Sequence, residues 1–69
     1  MAENFKIGKI KFYSSEKGYG FIRADNGDEY FYHVTDFADQ EWRPEADQRV
    51  KFNVVTGKRG PKAKYVQPC

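Results

Sequence analysis

The sequence predicts an all-β domain built as a five-stranded antiparallel barrel, and three observations carry that prediction. Strand-like stretches recur five times, at residues 5–11, 20–23, 29–34, 49–55 and 63–66, each alternating apolar with polar or rich in aromatic and β-branched side chains. Glycine-containing turns separate most of them. No segment carries a long amphipathic helical period, so nothing competes with a sheet for the apolar residues.

Phe5-Lys6-Ile7-Gly8-Lys9-Ile10-Lys11 alternates around a glycine break, and Gly20-Phe21-Ile22-Arg23 follows as the second strand. Asp25-Asn26-Gly27-Asp28 then turns the chain, because Asn-Gly tolerates the positive φ of a tight hairpin. Glu29-Tyr30-Phe31-Tyr32-His33-Val34 returns beside it. Residues 35–48 form the one long connection, acidic and interrupted by Pro44, with room for a short helical turn near Thr35-Asp36-Phe37. Arg49-Val50-Lys51-Phe52-Asn53-Val54-Val55 alternates again, and the turn Thr56-Gly57-Lys58-Arg59-Gly60-Pro61 leads to a last strand, Ala63-Lys64-Tyr65-Val66. Three closely joined strands, one long link and a final hairpin are the pieces from which a small barrel closes.

Sixty-nine residues make a single domain spanning 1–69, and a chain this short buries only about 60% of its unfolded surface. Aromatic residues are 17% of the chain against 39% for all hydrophobic residues, so apolar surface is concentrated in flat rings that suit stacking as well as cores. The one cysteine, Cys69, allows no intramolecular disulfide and no cysteine-based zinc site, which points to a reducing cytoplasm. Residues 1–4 lack the order of a signal peptide, and no apolar run approaches the roughly 20 residues of a membrane span. Charge is uneven: residues 1–24 carry +3, residues 25–48 carry −7 and residues 49–69 carry +6. If the two ends fold side by side they make a positive surface backed by a negative one, suited to a polyanion, with the acidic segment as a solvated back or rim. Lysines that merely solvate strand edges would give the same counts. Neither a nucleophile–base pair nor a Walker loop is present, so an enzyme is not expected, and one histidine without nearby cysteines makes no metal site.

Alternation places Tyr19 and Phe21 on one face of the second strand and Ile22 on the other, while Phe31 and His33 share a face of the third. The hairpin brings those faces together, leaving Ile22, Tyr30 and Tyr32 to turn inward. The reverse assignment would bury the rings; against it, Gly18 and Gly20 supply no core volume and give a base clearance beside Tyr19. Stacking on such rings is worth roughly 1–3 kcal/mol per base, and Lys9, Lys11, Lys17, Arg59, Lys62 and Lys64 add cations.

Lys17-Gly18-Tyr19-Gly20-Phe21-Ile22 also fits the basic-Gly-aromatic-Gly-Phe-aliphatic ribonucleoprotein motif shared by RNA-recognition motifs and cold-shock domains. An RNA-recognition motif needs two helices and places its other aromatic strand earlier; here that strand comes later and the helices are missing. Together with Gly8-Lys9-Ile10-Lys11-Phe12-Tyr13, Phe31-Tyr32-His33 and Gly60-Pro61, the sequence resembles the bacterial cold-shock protein family over nearly its whole length. The resemblance implies an OB-fold barrel that binds single-stranded RNA and DNA, melts RNA secondary structure as a chaperone, and affects transcription or translation in some members. It maps binding positions onto Lys11, Phe12, Lys17, Tyr19, Phe21, Phe31, His33, Trp42 and Arg59; Lys9 and Lys62 join them from the residue reading.

A monomer working without cofactor, metal, membrane or small-molecule substrate is expected. Phe12 stands where the family usually has tryptophan, Val34 where it has phenylalanine, and Tyr30 and Tyr32 where it has inward valines. Strict alternation from Ile10 sends Phe12 inward, and the resemblance implies a bulge that turns it out. Trp42 sits in the long connection where the family carries an aromatic, although it could instead cap the barrel. These departures predict weaker or differently spaced binding. Val34 and the acidic segment also fit a second reading, a protein-interaction barrel that kept the fold and lost the ligand.

Overall fold

The computed structural model describes residues 5–58 and 60–69. Strands β1 (Lys6–Ser14), β2 (Tyr19–Ala24), β3 (Glu29–His33), β4 (Arg49–Gly57) and β5 (Gly60–Pro68) close into a barrel in the order β1-β2-β3-β5-β4. Four seams are antiparallel; the fifth, between β3 and β5, is parallel, with Phe31 opposite Lys62. The parallel seam follows from strand number, since an odd number of strands cannot alternate direction all the way round a closed ring, and it leaves the expected all-β five-stranded barrel unchanged.

β1 outruns its expected end because the register shifts between Ile10 and Phe12. The extra residue is a β-bulge, which resets the alternation so that Ile10 points into the core and Phe12 points out. The last hairpin is also longer than its sequence pattern suggests, pairing Thr56 with Pro61 and Gly57 with Gly60. Within the long connection, a 3-10 turn at Val34–Asp36 begins immediately after β3. Its capping box is reciprocal: the Thr35 N–H donates to His33 Nδ1 at 3.3 Å, and Asp36 Oδ2 accepts from the His33 N–H at 3.0 Å.

Ile10, Ile22, Ala24, Tyr32, Phe37, Val50, Phe52, Ala63 and Val66 form the core. Tyr32 is fully buried, and its hydroxyl donates to the Phe12 carbonyl at 3.0 Å. Tyr30 is half-buried, its ring 5.6 Å from that of Phe52. Gly20 serves this packing rather than clearance for a base: it is buried, and a Cβ there would collide with the Phe12 carbonyl oxygen and the Tyr32 hydroxyl. Gly18 has its own reason, a φ of +75° in the turn between β1 and β2, a region that disfavours side chains.

Candidate functional site

Four rings meet on the outer surface of β1, β2 and β3, and strand register puts them there. Phe12 lies opposite Phe21, Phe21 opposite Phe31, and Tyr19 opposite His33. Ring centroids are 6.1 Å apart for Phe12 and Tyr19, 5.7 Å for Tyr19 and Phe31, and 6.0 Å for Phe21 and Phe31. Phe12 is 47% exposed, and Phe21 and Phe31 are 38% exposed each. Full burial of a phenylalanine contributes about 1.5–3 kcal/mol, so a small domain that leaves three of them partly in water forgoes stability it could use. A contiguous exposed apolar patch of this kind marks a contact surface.

The sequence-predicted cations divide into paired and unpaired groups. Lys11 reaches Glu29 at 2.6 Å, both side chains well exposed. That hydrogen bond, opposed by desolvation and helped by the charges of Lys11 and Arg23, holds the Glu29 carboxyl below its ordinary value. Water screens an exposed pair of this kind, so a phosphate can compete for Lys11. Lys62 contacts Asp36 Oδ2 at 2.8 Å, and Lys64 lies 3.8 Å from the other oxygen. Lys17 is exposed in the turn before β2. Lys9 is exposed on β1, opposite Arg23 and Arg49. Arg59 lies outside the described residues.

Seven of the eight acidic residues of the segment 25–48 are exposed, as a solvated back or rim requires; Asp36, at 4% exposed, is the exception. Its carboxylate is buried beneath the site, and another, that of Glu29, stands on the same face of β3 as Phe31. The Lys62 ammonium also lies 6.0 Å from the Phe31 ring centroid. Phe21, Phe31, Lys58, Pro61 and Lys62 line an open groove of about 390 Å³. The groove lies between the two rings and the β4–β5 hairpin.

His33 is half-buried beside Gly18, with Nδ1 3.3 Å from the Thr35 backbone nitrogen and 3.1 Å from the Thr35 hydroxyl. Trp42 is placed differently from the platform rings: it packs edge-on against the core ring of Phe37 at 5.0 Å and is half-buried. Val34 likewise packs against the core. Burial, with a smaller contribution from Tyr13, pushes the Tyr32 phenol up, so it remains the donor that holds the Phe12 carbonyl at neutral pH. Sequence reasoning missed Asp36 and Lys58. Lys58 stood within the recognised glycine-flanked turn, whereas nothing local distinguished Asp36 from its acidic neighbours.

Residues 6–69 match the family described as the 'Cold-shock' DNA-binding domain. The chain belongs to the cold-shock domain family. Among curated relatives, it is 42% identical over 60 residues to cold shock protein CspD of Bacillus subtilis, covering 86% of this chain and 91% of that protein. Cold shock protein CspB of Bacillus caldolyticus matches with the same identity and coverage. A solved structure described as drosophila Unr CSD456 superposes with a TM-score of 0.79 at 22% identity, over 97% of this chain and 27% of that one, which supports the fold. Family membership makes nucleic-acid binding the general activity of this cold-shock domain, and neither relative carries the name of an enzyme. Among the described residues, no group of three His, Cys, Asp or Glu side chains could hold a metal ion, and no helix is long and apolar enough to cross a membrane.

Proposed function

We propose that this cold-shock domain binds single-stranded RNA and DNA by stacking bases on Phe12, Tyr19, Phe21 and Phe31, as one monomeric domain over residues 1–69. The observation that carries the reading is the exposure of three phenylalanines in mutual or near contact on one face. A duplex hides the faces of its bases, whereas a single strand offers them to rings and its phosphates to Lys11, Lys17 and Lys62. Because stacking uses a surface that every base has, binding tolerates many sequences. Binding only the unpaired state pulls RNA hairpins open by mass action, which is the physical content of a chaperone activity and a route to effects on transcription or translation.

The test is anisotropy of a labelled pyrimidine-rich strand titrated with protein at several salt concentrations, alongside melting of a quenched RNA hairpin. Alanine at Phe21 or Phe31 should weaken binding by roughly 1–3 kcal/mol while the domain stays folded. Unchanged affinity in folded variants would remove the platform from the mechanism. Absence of binding to both RNA and DNA at low salt would instead favour the protein-interaction reading.

A further inference from the structure

One row of the outer surface is not accounted for by the rings. Two residues along β2 from Phe21, Arg23 faces out opposite Lys9 on β1, and Lys9 is opposite Arg49 on β4. All three are exposed. Adjacent strands are about 4.8 Å apart, so the row crosses three strands; two residues at about 3.3 Å each put it roughly 7 Å from the Phe12, Phe21 and Phe31 row. Like charges directly opposite one another are destabilising. Arg49 is offset by Asp25 at 3.3 Å, but among the described residues neither Lys9 nor Arg23 has a carboxylate within ion-pair distance. Glu29, opposite Arg23 on β3, is already taken by Lys11. A recess of about 350 Å³ opens here, with Lys9, Lys11 and Arg23 in its wall alongside Asp25 and Asp47.

We propose that Arg23, Lys9 and Arg49 form a second subsite for the same single strand, a phosphate track that carries nucleotides leaving the rings across β2, β1 and β4. The inference rests on the platform reading above. A phosphate oxygen placed between Lys9 and Arg23 replaces their mutual repulsion with two attractions. The two guanidinium groups offer planar forks that match a phosphate and can also stack on a base. Continuity with the aromatic row, whose rings offer stacking surfaces to bases, favours a nucleic-acid strand over an acidic peptide.

The experiment compares oligothymidylates of about 4 and about 10 nucleotides, within the span that one such barrel covers, bound to wild type, to the double variant Arg23→Gln/Arg49→Gln, and to Phe31→Ala. Thermal unfolding checks that each variant is folded. The wild type should bind the longer strand more tightly, and the double variant should keep short-strand binding while losing the gain from length. Removing two phosphate contacts, each worth about 0.7 in the salt slope of a single strand, should make the double variant's long-strand affinity fall about 7-fold less than wild type between about 50 and 200 mM salt. Equal loss at both lengths would show a general field and overturn the track, as would a length gain that survives in the double variant. If Phe31→Ala weakens both lengths while that gain survives, the platform stands and only the track falls. If the wild type binds neither length, both readings fall. Oligoglutamate that displaces the long strand from wild type but fails to bind the double variant would assign the row to an acidic protein and overturn the proposal.

Discussion

Asp36 is the residue whose removal should cost this domain most for a single charged side chain. Its buried carboxylate accepts from the His33 N–H at 3.0 Å and from the Lys62 ammonium at 2.8 Å, with Lys64 at 3.8 Å. A hydrogen bond to a charged group contributes about 1.5–3 kcal/mol, and Asp36→Ala forfeits the one that caps the 3-10 turn. The lysine pairs deserve less weight: the Lys62 and Lys64 side chains are 27% and 40% exposed, so water takes up much of what the carboxylate releases, and about 1 kcal/mol is a fair ceiling. The total for alanine is then about 2–4 kcal/mol, a large share of the roughly 3–10 kcal/mol available to a domain of this length. Asp36→Asn keeps an oxygen for the His33 N–H and should lose about 1 kcal/mol, a Tm shift of about 4–8 °C. Urea unfolding followed by circular dichroism at neutral pH measures both. An alanine variant within about 0.5 kcal/mol of wild type would refute the burial argument, because substitutions away from such features fall in that range. Equal losses for alanine and asparagine would show that charge, not the cap, carries the energy.

Glu29→Gln releases Lys11, so single-strand binding should tighten and its salt slope steepen by about 0.7 in a titration across ionic strength. The same pair has a pH signature. The Glu29 carboxyl is held below 4.5 in the folded state, so its contribution is complete above that unfolded value and fades as pH falls through the lower folded one; the stability gap between wild type and Glu29→Gln should close on acidification and not on alkalinisation. Gly20→Ala drives a methyl into the Phe12 carbonyl and the Tyr32 hydroxyl and should cost about 3 kcal/mol or more in chemical unfolding. Tyr65 holds a φ of +57° at the bulge between β4 and β5, where a non-glycine residue is strained by about 1–2 kcal/mol. Tyr65→Asn should therefore raise the urea midpoint despite losing the contact with Lys64, and a lowered midpoint would count against strain at that site.

Parity alone grouped Tyr19 and Phe21, with Phe31 across the Asn26-Gly27 hairpin, on one face and Ile22 and Tyr32 on the other, but which face turned out rested on the glycines, of which Gly20 in fact serves the packing of Tyr32. Phe12 was not legible that way, because alternation from Ile10 sends it inward until a bulge intervenes, and only the family resemblance carried that information. Gly20 shows a different limit. A glycine in a strand does need a reason, but the reason is the hydroxyl of Tyr32, which sits across the hairpin and is invisible to any local pattern. Asp36 is the same case on a longer scale, since its burial depends on lysines that β5 brings to the parallel seam. Trp42 was read from its place in the long connection, yet Phe37 draws its ring toward the core.

These interior contacts have a common consequence for the outer face. Tyr32 holds the Phe12 carbonyl from inside the barrel, and Asp36 holds both the His33 backbone and the Lys62 ammonium from beneath. Each buried polar group thus fixes a residue of the proposed platform or its flank before any ligand arrives. On the proposed reading, a backbone fixed in advance leaves only side-chain freedom to be lost when a base stacks, so affinity is set mainly by how many bases the rings can cover. With Val34 packed on the core and Trp42 against Phe37, the set on the outer face is the four rings of Phe12, Tyr19, Phe21 and Phe31. On the proposed reading, added affinity for longer strands comes from charge beyond the rings, which is where Arg23, Lys9 and Arg49 lie.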